Sequence, residues 1–222
     1  MQATSSSFAA LAAAVFLAAA SAPPVAAARD HGTYEVTVTN ITKAQTFTPL
    51  LVVTHHRGVQ LFELGAPASE ALVALAEGGD TGPLADAARA MRGVHDVATA
   101  DGPLGPGQSV TIAVRTRGHH DRVSLAGMLV PTNDAFVAID GVQGPRGRET
   151  VAVRAVAYDA GSETNDELCA SIPGGGPCGG GMLSDDGEGF VHVHAGIHGV
   201  GDLDDAIYDW RNPVAAITIR RR

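Results

Sequence analysis

The segment Thr33 to Ile41 alternates Tyr34, Val36 and Val38 with Glu35, Thr37 and Thr39, a period of two that puts apolar side chains on one face of a β-strand. Runs rich in branched residues recur at Leu50 to Thr54, Ser109 to Arg115, Asp121 to Leu129, Phe136 to Ile139, Glu149 to Tyr158, Phe190 to Val193 and Ala215 to Arg220. Gly, Pro, Asn or Asp punctuates nearly all of them. Short strands separated by turn residues predict an all-β chain, an antiparallel β-sandwich of about eight strands, and exclude a parallel sheet wrapped by helices. One stretch breaks the pattern. From Ser69 to Arg92, Ala, Leu and Val recur at helical spacing around the break Gly78-Gly79-Asp80-Thr81-Gly82-Pro83. The spacing predicts a short helical insertion of two helices over one end of the sandwich. Ser69 would cap the first, and Asp80 or Thr81 the second, with Pro83 in its first turn.

The N-terminus is read separately from the fold. Phe8 to Ala20 is an Ala-rich apolar run, followed by Ser21, Pro23 and Pro24 and then by Ala26-Ala27-Ala28 before Arg29. That is the order of a signal peptide's apolar region and small-residue cleavage site, although Met1 to Ser7 lack the usual Lys or Arg. The run is shorter than the roughly 20 residues a membrane span needs. The expectation is a signal peptide over residues 1–28, a single domain over 29–222 without a membrane span, and a secreted, extracellular or periplasmic location. No residue of 1–28 is charged, so the formal charge of −9 belongs to the exported part. Such a surface repels phosphates, which sets nucleic acid aside; Arg220-Arg221-Arg222 reads as a solvated terminus.

Cys169 and Cys178 stand close together in a Gly- and Pro-rich stretch. In an oxidising compartment two such cysteines pair, and their spacing is not that of a Cys-x-x-Cys metal or redox motif. A disulfide is expected. Nucleophile signatures are missing: there is no Gly-x-Ser-x-Gly elbow, and the Gly174-Gly175-Gly176 and Gly179-Gly180-Gly181 runs lack the Lys of a phosphate-binding loop. The chain is expected not to be an enzyme.

Acidic residues at strand ends offer the strongest candidate chemistry. Asp159-Ala160-Gly161-Ser162-Glu163 follows the strand ending at Tyr158, with a glycine that permits a tight turn between two carboxylates. A hard cation such as Ca²⁺ takes six to eight oxygens at about 2.3–2.6 Å, and a turn of this kind can converge them, although acidic loops are more often merely solvated. A second strand end, Gly127-Met128-Leu129-Val130-Pro131-Thr132-Asn133-Asp134-Ala135-Phe136, also runs into a short loop carrying a carboxylate.

These two stretches together resemble the paired signatures of the spondin-N (F-spondin) domain: a strand ending in Met and Pro, a short loop with Asp before an aromatic, and an Asp-Ala-Gly-Thr-acidic turn. Tyr34 to Asn40 with Ile41-Thr42, and Phe47-Thr48-Pro49, resemble its opening. The resemblance implies a C2-like β-sandwich that binds Ca²⁺ structurally at one end, with Asp134, Asp159 and Glu163 as ligands. It also implies an extracellular adhesion or interaction role toward a protein or glycan partner that the sequence does not name. Four positions depart from the pattern: Asn133 stands for Pro, Ala135 for Trp, Ser162 for Thr, and Glu163 for a shorter Asp.

Histidines supply a rival from another class. In Phe190-Val191-His192-Val193-His194-Ala195-Gly196-Ile197-His198, His192 and His194 would share one strand face, and His198 could complete a three-nitrogen site for a transition metal in a small secreted metalloenzyme. Nearby Asp185, Asp186, Glu188 and Asp202 would be its acidic companions. The alternative reading makes these histidines structural. The dyads His55-His56 and His119-His120 read as turn or surface residues, because neighbours on a strand point to opposite faces.

Overall fold

A computed structural model describes residues 31–181 and 186–222. The expected leader over residues 1–28 and the candidate Asp185 lie outside the described residues. The elements in chain order are β1 (His31–Asn40), β2 (Thr46–Phe47), β3 (Leu51–His55), α1 (Glu70–Gly78), α2 (Thr81–Ala90), β4 (Val94–Thr99), β5 (Ser109–Arg117), β6 (Arg122–Val130), β7 (Ala135–Gln143), β8 (Thr150–Asp159), β9 (His192–Val193), α3 (Asp205–Tyr208) and β10 (Ala215–Arg221). All the strand pairings are antiparallel.

Hydrogen bonding follows one path, β4-β3-β6-β7-β8-β10-β1-β5, with β2 beside β6 and β9 beside β8. The long strand β8 joins the two halves. Its residues 150–155 pair with β10, and residues 156–159 pair with β7. A strand shared in this way turns a corner between differently oriented parts of a sheet. The end strands then approach each other without a ladder. The Arg115 N–H and guanidinium of β5 donate to Asp96 of β4 at 2.8, 3.1 and 3.0 Å, and Thr54 of β3 donates to the Arg115 carbonyl at 2.6 Å. The result is a mostly antiparallel sheet, nearly closed into a barrel, with a helical insertion.

Two apolar clusters explain which strands alternate and which do not. Inside the curl, Tyr34, Val36 and Val38 of β1 pack with Ile112, Val114, Val52, Leu125, Val137, Ile217 and Ile219. Thr37 and Thr39 face outward and bond Thr111 and Ser109 across the β1–β5 pair at 2.8 and 2.7 Å. Strand β3 is buried on both faces: Val52 points into the curl, while Leu51 and Val53 meet Leu72, Leu75, Leu84 and Ala88 of the helices. A continuous apolar run is what such a doubly covered strand requires.

The helices begin as their caps dictate. Ser69 accepts from the Leu72 N–H and Asp80 from the Gly82 N–H, while Gly79 closes α1 in the left-handed region at φ 67°. They cover the outer face of β3, β6 and β7, not one end of the sheet as expected, because Ala126, Phe136 and Ala138 leave that face apolar. Two further expectations change. Strand β4 carried no clear signal, since His95 and Asp96 interrupt its apolar residues and the strand is only half buried. The run from Phe190 to Val193 shrinks to the two residues of β9, because the chain is held by other bonds on both sides: Val191 N–H to the Ala66 carbonyl and His194 N–H to the Ala157 carbonyl.

Candidate metal centre

The turn from β6 to β7 is built before its carboxylate is placed. Thr132 Oγ1 donates to the Leu129 carbonyl and accepts from the Ala135 N–H, at 2.5 and 3.2 Å. This closure leaves Asp134 wholly buried. Its Oδ2 accepts from the Ser162 N–H at 2.8 Å, the Ser162 hydroxyl at 3.1 Å and the Glu163 N–H at 3.1 Å. Its Oδ1 is also buried but has no hydrogen bond. Ser162 therefore does what its place in the turn asks with a hydroxyl alone. Asn133, a second departure from the family pattern, donates to Asp166 at 3.0 Å and accepts from the Glu167 N–H at 3.3 Å, tying the turn to the next loop.

Asp159 ends β8 directly opposite Ala135 in the ladder, which brings it beside Asp134. It is 1% exposed. Oδ1 accepts from the Gly161 N–H and Oδ2 from the Asn165 amide, both at 2.7 Å. Gly161 sits at φ 68°, and a Cβ there would lie 2.3 Å from the Phe190 carbonyl oxygen; a Cβ at Gly187 would lie 2.3 Å from the Gly161 carbonyl oxygen. Two loops thus pack backbone on backbone, carrying Glu188 over Asp159. Ligand atoms of Asp159, Glu188 and His192 all lie within 4.8 Å of one another, the one such grouping among the described residues.

The electrostatics follow from this packing. Burial, and then the charge of Asp134, push the Asp159 carboxyl up to about 7. Burial raises Asp134 as well, with the charge of Glu188 adding to it against the bonds from Ser162 and Glu163. Among the described residues, no Lys or Arg forms an ion pair with Asp134 or Asp159. Only two histidine nitrogens stand near Asp159, His192 Nδ1 at 3.6 Å and His194 Nε2 at 3.8 Å. Like charges buried together without a cation are costly. The grouped donors are the two carboxylates of Asp159 and Glu188 and the imidazole of His192; Asp134 and Glu163 lie outside that 4.8 Å grouping, Asp134 with a bare, buried Oδ1 that fits a cation ligand. Glu163 is fully buried in the same turn.

The expected three-histidine site does not assemble. His194 Nδ1 accepts from the Gly196 N–H at 3.0 Å, so its proton is on Nε2, which faces Asn165 Oδ1 at 3.2 Å. Burial pushes this ring down to about 4, and it lies against Trp210 with ring centres 4.9 Å apart. His198 is exposed, and its backbone N–H is bound at 2.6 Å by the buried carboxylate of Glu167, which also takes the Val200 N–H at 2.9 Å. Only His192 joins the carboxylates. Glu188, expected beside the histidines, does stand with one of them, His192, at Asp159, and the local sign of its place is the flanking pair Gly187 and Gly189, which lets its loop lie close. Below the site, Cys169 and Cys178 form the expected disulfide, with Cα atoms 4.8 Å apart.

The family model described as Spondin_N matches residues 37–166, more than half of the chain and inclusive of Asp134, Asp159 and Glu163. Glu188 and His192 lie beyond the matched residues. No curated protein matches the chain.

Proposed function

The chain belongs to the spondin-N domain family, and from that membership we propose that it is a non-enzymatic, exported binding module that takes up Ca²⁺ at Asp134, Asp159 and Glu163, with Glu188 above them. One observation carries the reading: the Asp134 Oδ1 atom is buried and hydrogen-bond-free next to a second buried aspartate. A bound divalent cation would supply the positive charge this pair lacks and would hold together the β6–β7 turn, the 159–163 turn and the loop of Glu188. Oxygen-rich sites of this type favour calcium over softer ions. On this reading the near-closed sheet is a flattened, C2-like sandwich. The ordered loop end engages an extracellular protein or glycan in an adhesion role, in keeping with the family.

His192 supports a second reading. Its Nδ1 lies among the carboxylates without a hydrogen bond, a nitrogen that zinc would use better than calcium. Thermal unfolding after chelation, followed by separate return of calcium, magnesium and zinc, decides between the two. A calcium-driven rise in melting temperature supports the first; a zinc-driven rise that His192→Ala removes, with no rise from calcium, overturns it. A ligand present at about 100 times its Kd adds about 2.7 kcal/mol to the folded state, a readily measured shift.

A further inference from the structure

Three histidine rings from three elements meet at the far end of the sheet. Strand β6 runs from Arg122 to Val130, and the carboxylate cluster lies beyond Val130; the rings lie at the Arg122 end. His56 follows β3, His95 is on β4, and His120 is in the turn between β5 and β6. All three are half buried. His120 is central, with its ring centre 5.3 Å from that of His95 and 6.1 Å from that of His56. Two imidazoles bound to one ion through nitrogens about 2.1 Å away have ring centres roughly 4.6 to 6.5 Å apart, according to the angle at the metal. The His95–His120 separation matches the tetrahedral case, about 5.3 Å, while the His56–His120 separation is wider and closes on chelation.

The second nitrogens are already committed in the manner of metal ligands. His56 Nδ1 lies 2.5 Å from the Arg57 carbonyl and His120 Nδ1 lies 3.0 Å from the Arg117 carbonyl. A carbonyl only accepts, so both rings carry their proton on Nδ1 and leave Nε2 with its lone pair. Gly93, at φ 105°, lets the chain pass against the His56 ring, since a Cβ there would lie 2.2 Å from Nε2 and 2.4 Å from Cδ2. Burial and the neighbouring His120 hold His95 below the ordinary histidine range, which favours its neutral, ligating form. The adjacent carboxylate, Asp96, is occupied by Arg115. The donor set is therefore nitrogen alone, the opposite of the cluster at the other end, and selects a borderline-soft divalent ion over calcium or magnesium.

We propose that His56, His95 and His120 form a second metal site, for a divalent transition metal of the zinc or copper class, whose ion ties β4 to the β5–β6 turn across the seam where the sheet has no ladder. As placed, the three nitrogens do not all lie within 4.8 Å of one another, and chelation closes them by rotation of half-buried rings. Zn²⁺ titrated into the ¹⁵N-labelled full chain, with calcium in excess, tests the site through long-range ¹H–¹⁵N spectra of the imidazoles. The Nε2 resonances of His56, His95 and His120 shift together and saturate at one equivalent, while Nδ1 of His56 and His120 stays protonated. His120→Ala weakens zinc binding about tenfold or more and abolishes the joint response, and His95→Asn does the same, providing a second variant should the first fold poorly. His192→Ala leaves the response intact. Rings that respond at different zinc concentrations, a joint response that survives His120→Ala, or a zinc shift confined to His192 would each overturn the proposal. The last outcome bears on the carboxylate cluster instead, so the two sites fail separately.

Discussion

Asp134 and Asp159 are a buried like-charge pair that the β7–β8 ladder assembles: Ala135 faces Asp159 across the strands, and the charge of Asp134 helps raise Asp159 to about 7. The turn after Asp159 in return gives Asp134 three hydrogen-bond donors, all to one oxygen. The loop after Asp159 thus holds both carboxylates, Asp134 through Ser162 and Glu163 and Asp159 through Gly161 and Asn165, and the strain between them is electrostatic.

Replacing Asp159 with Asn should separate the ligand role from the structural one. The amide removes the like charge, so the metal-free variant is expected to melt no lower than the wild type near pH 7.5. Its calcium affinity, by titration calorimetry, should fall about tenfold or more. A variant that keeps the calcium-dependent rise in melting temperature would remove Asp159 from the site.

Proton release should accompany calcium uptake. A carboxyl raised to about 7 keeps its proton in the folded form between about pH 4 and 7, where the unfolded chain has already lost it. Its contribution to stability is complete below the unfolded value and is lost as pH rises through 7. His194, pushed down to about 4, acts oppositely: its contribution is complete above 6.5 and is lost as pH falls toward 4. These slopes oppose each other in melting curves, so binding is the cleaner measurement. Calcium affinity should climb from pH 5 to 7, by up to about tenfold per pH unit, and then level off. Calorimetry at pH 6 in buffers of different ionisation enthalpy reports the proton directly.

Gly161→Ala should be among the most damaging single substitutions at the loop end. It combines a left-handed φ with a Cβ driven into the Phe190 carbonyl. The cost is expected to be about 2 kcal/mol or more in urea unfolding, with a weakened calcium response because the loop of Glu188 is displaced.

Reduction of the Cys169–Cys178 disulfide, or its replacement by two serines, should cost about 2–3 kcal/mol for a loop this short. The calcium-dependent shift should survive, because neither cysteine carries a ligand. Unfolding with and without reductant, each at two calcium concentrations, tests both statements.

Glu167→Ala should lower stability by about 2–3 kcal/mol, since it removes the buried carboxylate that accepts from the N–H groups of His198 and Val200. Slowed amide exchange at these two positions in the wild type, lost in the variant, would identify the carboxylate as the brace of that loop.

Local pattern sufficed for the elements whose side chains meet neighbours through a repeat. The alternation of Tyr34, Val36 and Val38, the Ser69 and Asp80 caps and the glycine break between the helices all have local causes, and all appear in the structure. Asp134 and Asp159 drew attention in the sequence because each stands where a strand meets a short turn, Asp134 just before β7 and Asp159 at the end of β8. Strand β4 was not, since His95 and Asp96 hold their places through partners far away in the chain, His120 and Arg115. The two-residue spacing of His192 and His194 predicted a shared face. Both rings do turn toward Asp159, but burial of His194 and the fold of Gly196 onto its Nδ1 leave only His192 grouped with Glu188.

From the sequence alone came the antiparallel β class, the helical insertion, the disulfide pair and the family resemblance, because periodicity, capping and turn chemistry act between residues close in the chain. Tertiary structure alone decided that the sheet curls until Arg115 meets Asp96, that Glu188 and His192 join Asp159, and that the His120 ring lies beside those of His56 and His95. Those relationships depend on loops approaching through glycines and on strand order, which are properties of the closed chain in three dimensions and leave no periodic trace along it.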